Sequence, residues 1–148
     1  MKKNRKDAQR TGFASELYVL SLLQRVGANA FMSFGNTKKV DIIVQKGSEA
    51  LTIDVKGGSN SFPLNKKYKE NLKDKNHYYI FVDYKGKFED ITVIPDIYIV
   101  PSVEMNFVRE YDTKASNHRF NVLKNDIKEK FTNDLSIFVE EKTNGLVQ

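Results

Sequence analysis

Residues 40–56 constrain this chain more than any other stretch. Val40-Asp41-Ile42-Ile43-Val44 is an almost continuous apolar run, the pattern of a strand covered on both faces. Leu51-Thr52-Ile53-Asp54-Val55-Lys56 alternates instead. Leu51, Ile53 and Val55 fall on one face and Thr52, Asp54 and Lys56 on the other, because side chains alternate along a strand. Gly47-Ser48 suits the two central residues of a hairpin turn between them. That register sets Asp41 opposite Asp54. Directly opposed side chains on one face have Cβ atoms about 4.5–5.5 Å apart. Lys56 follows two residues along the same face, about 6–7 Å from Asp54 at the rise of a strand. Two carboxylates at that separation repel unless a cation sits between them. Buried or half-buried acids are costly unless paired, hydrogen-bonded or bound to a metal.

A third acid lies upstream. Residues 7–26 carry helical spacing, with Phe13, Leu17, Leu20 and Gln24 in step and Gly27 as a stop. At about 100° per residue, Glu16 shares the face of Phe13, Leu17, Leu20 and Leu23. A glutamate on the core side of a helix needs either a task or a cationic partner, and a buried salt bridge to a lysine or arginine is the competing reading. Three carboxylates and a lysine converging on one spot suggest a divalent-metal site suited to phosphodiester chemistry. The competing reading for Asp54 and Lys56 is an exposed pair on the wet face of a half-buried strand.

These residues resemble the signature of the PD-(D/E)XK, or restriction-endonuclease-like, nuclease superfamily. The match is Glu16 on the first helix, Asp41 in the second strand and Asp54-Val55-Lys56 in the third, with twelve residues between Asp41 and Asp54. Val40 stands where the motif's proline would be. The resemblance covers roughly residues 8–100. It implies an α/β fold with a restriction-endonuclease-like core, a central mixed sheet flanked by helices in the order α-β-β-β-α-β, with the hairpin near the middle of the sheet. It also implies a nuclease-type site, without fixing a particular substrate; a metal-dependent endonuclease acting on DNA is the leading expectation, with DNA versus RNA left open. Asp41 and Asp54 would be metal ligands, the Val55 carbonyl a further one, Glu16 an accessory ligand and Lys56 catalytic. Mg²⁺ is the expected cofactor, with Mn²⁺ as a substitute. The rival, from another class, is a nucleic-acid-binding or assembly protein that keeps the fold without turnover.

Composition agrees with this and excludes several classes. The chain has 148 residues, so a single domain is the expectation, with residues 1–6 a flexible basic arm and 143–148 a loose tail. Its net charge of +5 suits a polyanionic partner such as duplex or branched DNA. It contains no cysteine, which excludes disulfides and thiolate metal sites and points to the cytoplasm. No apolar run approaches the ~18 residues of a membrane span, and no signal-peptide core follows the basic start. A homodimer is left open. Lys66, Lys67 and Lys69 are candidates for phosphate contacts, against the commoner reading of a solvated charge run. His77 and His118 are the only histidines and neither has metal-ligand spacing.

The remaining expectations are local. Residues 30–34 read as a first strand and 35–39 as the loop into the site. Gly57 to Ser61 reads as a flexible loop. His77 to Tyr84 reads as a strand by composition. Ile91–Ile94 and Asp96–Val100 read as one or two strands around Pro95. Ser102 is placed to cap a helix reaching Tyr111, and Asn121–Phe131 reads as a last helix.

Overall fold

The structure is a computed structural model and describes residues 5–34, 40–112 and 118–141. It opens with α1 (Arg5–Val26), followed by β1 (Asn29–Met32), β2 (Ile42–Lys46), β3 (Glu49–Gly58) and β4 (Ser61–Leu64). A short helix α2 (Tyr68–Asn71) leads to β5 (His77–Asp83) and β6 (Asp96–Pro101). After a 3₁₀ turn at Ser102–Glu104 come β7 (Arg109–Asp112), β8 (His118–Leu123), the single-turn α3 (Lys124–Ile127) and a 3₁₀ turn at Leu135–Phe138.

Two sheets result. The main one runs β1-β2-β3-β5-β6, with β3 at its centre. Its first three strands form an antiparallel meander, β3 and β5 are parallel, and β5 and β6 are antiparallel. The sheet is therefore mixed and the predicted hairpin lies in its middle. The turn is Gly47-Ser48, closed by Lys46 opposite Glu49, as the alternation of residues 51–56 requires. β4-β8-β7 form a second, antiparallel sheet that the sequence reading did not anticipate. A parallel pair cannot be joined by a tight turn. The crossover from β3 to β5 carries β4 and α2, and so delivers one strand to the second sheet.

Each face of the main sheet has its own core. On one side Val19 and Leu23 of α1 and Phe138 meet Ile42, Ile53 and Val55. On the other, Phe62, Phe120 and Val122 of the second sheet meet Tyr79, Phe81 and Val100. Strand β5 is buried along nearly its whole length, as befits a strand covered on both faces. Fully burying one such aliphatic or aromatic side chain contributes about 1.5–3 kcal/mol.

Several local expectations are corrected. The buried row of α1 is Thr11, Ser15, Val19 and Leu23, whereas Phe13 and Leu17 are exposed at 58% and 43%. Small side chains were selected there because Thr11 and Ser15 pack directly onto β3 at Gly57. The helix also begins at Arg5, so residues 5 and 6 are helical rather than part of an arm; residues 1–4, the loop 35–39 and the tail 143–148 lie outside the described residues. Gly57 and Gly58 continue β3 instead of forming a loop, and a tight turn at Asn60, with φ 64°, reverses the chain into β4. Ile91 and Ile94 are not in a strand and stand 97% and 75% exposed. There Asp90 accepts from both the N–H and the hydroxyl of Thr92, a local arrangement that competes with a sheet ladder. Ser102 does not cap a long helix; its hydroxyl donates to the Asn71 carbonyl and only one 3₁₀ turn follows. Residues 121–123 belong to β8, and the helix is confined to Lys124–Ile127. Phe120 and Val122 point inward with Asn121 between them half-exposed, a period of two that the helical reading overlooked.

Candidate functional site

The ladder between β2 and β3 stops at Ile42 opposite Ile53. One step further the strands part, with Asp41 on one side and Asp54 on the other. The Asp41 N–H still donates to the Ile53 carbonyl at 3.1 Å, and the Asp41 carbonyl accepts from Ser33 N–H at 3.0 Å. Val55 N–H faces the place where the next rung would be. There it donates to Asp41 Oδ2 at 2.8 Å. The end of the ladder thus aims the Asp41 carboxylate at the backbone of β3.

Asp54 is held from the other neighbour. The parallel register sets Thr52 beside His77 and Asp54 beside Tyr79. Asp54 Oδ2 lies 3.2 Å from His77 Nε2, with the Asp54 side chain 17% exposed. Tyr79 is 2% exposed, and burial pushes its hydroxyl up to about 12; the Asn71 amide that donates to it lowers the value and the Asp54 charge raises it.

A cleft of about 620 Å³ opens over this face of the sheet. Asp41, Thr52, Asp54, Lys56, His77 and Tyr79 line it from the main sheet. Asn65, Lys67, Glu70, Asn71 and Asp74 line it from the crossover. Asp41, Asp54 and Lys56, singled out by the strand alternation, are therefore brought together. Glu16 is half-buried on α1 and is not among the residues that line the cleft. Of the three lysines, Lys67 lines the cleft. Lys69 sits 3.9 Å from Glu110 and 5.2 Å above the Phe120 ring, while Lys66 is exposed away from the lining.

His77, Tyr79 and Asn71 escaped the sequence reading. His77 and Tyr79 do alternate along their strand, but their placement beside Thr52 and Asp54 depends on a parallel pairing across a crossover, which no local pattern announces.

Whether these side chains suit a divalent ion turns on their donor set. Among the described residues no three His, Asp or Glu side chains form a metal-holding cluster. Two opposed carboxylates do line one cleft, and each accepts a hydrogen bond from an N–H that orients it. Mg²⁺ takes hard oxygen ligands, keeps several waters and is commonly held by one or two carboxylates plus substrate phosphates. The pair fits that partial, oxygen-only set.

No family model matches this chain, and no curated protein does. Among solved structures it is similar to Hjc, a Holliday junction resolvase from the archaeal hyperthermophile Archaeoglobus fulgidus, with TM-score 0.58 and 13% identity over 89% of this chain and 98% of that one. It is also similar to the bacterial homing endonuclease I-Ssp6803I, with TM-score 0.46 and 13% identity over 82% of this chain and 77% of that one. The likeness to Hjc shows the fold, which is restriction-endonuclease-like: a central mixed sheet flanked by helices.

Proposed function

We propose that this chain is a metal-dependent endonuclease that hydrolyses phosphodiester bonds in duplex or branched DNA. The observation that carries the reading is the convergence of Asp41, Asp54 and Lys56 in one cleft at the parting of two central strands. Asp41 and Asp54 would hold Mg²⁺ or Mn²⁺, with the Val55 carbonyl as a further oxygen donor and Glu16 as an accessory member of the set. When bound, such an ion acidifies a water and offsets charge on a phosphate. Lys56 shares the strand face of Asp54, so its ammonium can lie against a phosphate in the cleft and stabilise the charge that develops there. Lys67 at the wall, with Lys66 and Lys69 on the same segment, would meet neighbouring phosphates. The net charge of +5 favours such a polyanion. We read the protein as cytoplasmic; no helix among the described residues is long and apolar enough to cross a membrane. A homodimer would offer two clefts to two strands.

The test is a cleavage assay on plasmid, linear and four-way-junction DNA with Mg²⁺ or Mn²⁺. Lys56→Ala should lose on the order of 10²–10³ in rate, the usual cost of removing one electrostatic stabiliser, while retaining DNA affinity. Equal activity in both proteins places the chemistry elsewhere. Binding without cleavage of any substrate favours the rival, a catalytically silent DNA-binding protein on the same fold.

A further inference from the structure

His77 is an unusual residue for its position. Strand β5 is otherwise built of aromatic and aliphatic side chains up to Asp83, and His77 is 2% exposed. Both ring nitrogens are engaged: Nδ1 lies 2.7 Å from Thr52 Oγ1, and Nε2 lies 3.2 Å from Asp54 Oδ2. A carboxylate only accepts hydrogen bonds, so Nε2 carries the hydrogen and donates it to Asp54. A hydroxyl donates or accepts, so Thr52 completes the other end in either sense. The Tyr79 ring meets the imidazole edge-on at 5.0 Å and 90°, which restrains the ring plane. The chain Thr52–His77–Asp54 thus runs across two adjacent parallel strands and ends on one oxygen of the carboxylate. The other, Oδ1, makes no hydrogen bond among the described residues.

We propose that His77 is a positioning residue for Asp54, holding Oδ2 so that this carboxylate meets a divalent cation in one fixed orientation, with Thr52 orienting His77 in turn. The proposal rests on the metal-dependent reading above. Groups that hydrogen-bond a ligating carboxylate fix its geometry and are commonly worth 10–100-fold in metal affinity or activity. His77 contacts Asp54 and not the reacting atoms, so its effect should appear in metal affinity ahead of DNA affinity.

Wild type, His77→Phe, His77→Gln and Thr52→Val are compared in two ways. Mn²⁺ binding is titrated by electron paramagnetic resonance, with and without duplex DNA, well below the melting temperature. Plasmid cleavage is measured across a range of Mg²⁺ concentrations. His77→Phe should weaken Mn²⁺ binding by about 10–100-fold and raise the Mg²⁺ midpoint for cleavage by a similar factor. DNA affinity in EDTA should be unchanged. His77→Gln offers an amide N–H near the place of Nε2 and should recover most of the metal affinity; Thr52→Val should shift it less, in the same direction as Phe. A His77→Phe protein that binds Mn²⁺ like wild type overturns the proposal, as does a Gln variant no better than Phe. Should His77→Phe fail to fold, Thr52→Val decides: unchanged Mn²⁺ binding overturns the proposal. A wild type that neither binds Mn²⁺ nor cleaves DNA removes the nuclease reading and this proposal together. An active wild type with unaltered variants removes the positioning role alone.

Discussion

At Gly57 the backbone of β3 passes so close beneath α1 that an added Cβ would collide with Ser15 Oγ and crowd Thr11. The neighbouring residue is Lys56, so the contact that docks the helix also sets the height of the lysine's strand. Gly57→Ala should lower stability by about 1–3 kcal/mol through overpacking, read by urea denaturation, and should reduce cleavage along with it. Tyr79 carries a pH signature. Its folded-state pKa, raised chiefly by burial to about 12, exceeds the ordinary value of 10.0. The stability it contributes is fully present below pH 10 and is lost as pH rises towards 12, by up to about 2–3 kcal/mol at 1.36 kcal/mol per unit. Tyr79→Phe should therefore flatten the alkaline limb of the stability profile between pH 10 and 12; an unchanged limb assigns that loss to other groups. At this scale the acids and Lys56 were legible because strand alternation is local. His77 was not, since its meaning comes from the neighbour across a crossover. Glu16 is a mixed case: helical spacing located it on α1, but the face read as apolar joined the buried Leu23 to the exposed Phe13 and Leu17, so Glu16 enters the proposed set without lining the cleft.

Among the elements, β5 and α3 are joined by an ion pair. Lys124 Nζ lies 2.6 Å from Asp83 Oδ2, and Asp83 is fully buried at the end of the strand. The hydrogen bond to Asp83 raises the Lys124 pKa above its usual value. Removing the cation leaves a buried carboxylate uncompensated, which typically costs 3–5 kcal/mol. Lys124→Met should fall in that range by chemical denaturation, and adding Asp83→Asn should recover part of the loss. A cost below 1 kcal/mol would mean that water replaces the ammonium. The same elements explain where the sequence misled. Residues 118–131 hold a strand followed by a single helical turn, and an apolar pattern that changes period midway imitates a longer helix. The second sheet was invisible for a related reason: β7 and β8 are neighbours in the chain, but their partner β4 comes from the distant β3–β5 crossover, and all three strands are short.

Across the whole molecule, the proposed function ties the central sheet and its acids to both ion and DNA binding. An ion bound only by the folded state stabilises it by mass action, about 2.7 kcal/mol at a hundredfold excess over Kd. Mg²⁺ or Mn²⁺ should therefore raise the melting temperature of wild type more than that of Asp41→Asn or Asp54→Asn, read by differential scanning fluorimetry. DNA affinity should fall steeply with salt as counterions are released. Lys67→Ala should flatten that slope more than Lys69→Ala, because the Lys69 ammonium already has Glu110 and Phe120 for company.

The parallel partnership of β3 and β5 also has a consequence in time. A hairpin such as β2–β3 closes in about 1–10 μs, since its strands are neighbours in the chain. Thr52, Asp54 and Lys56 can meet His77 and Tyr79 only after the intervening crossover has folded back, and such non-local pairing is slow. During synthesis a ribosome would thus expose both acids and the lysine well before the strand that steadies them emerges. A partly made chain would carry these side chains without their alignment, and the proposed site would be completed late.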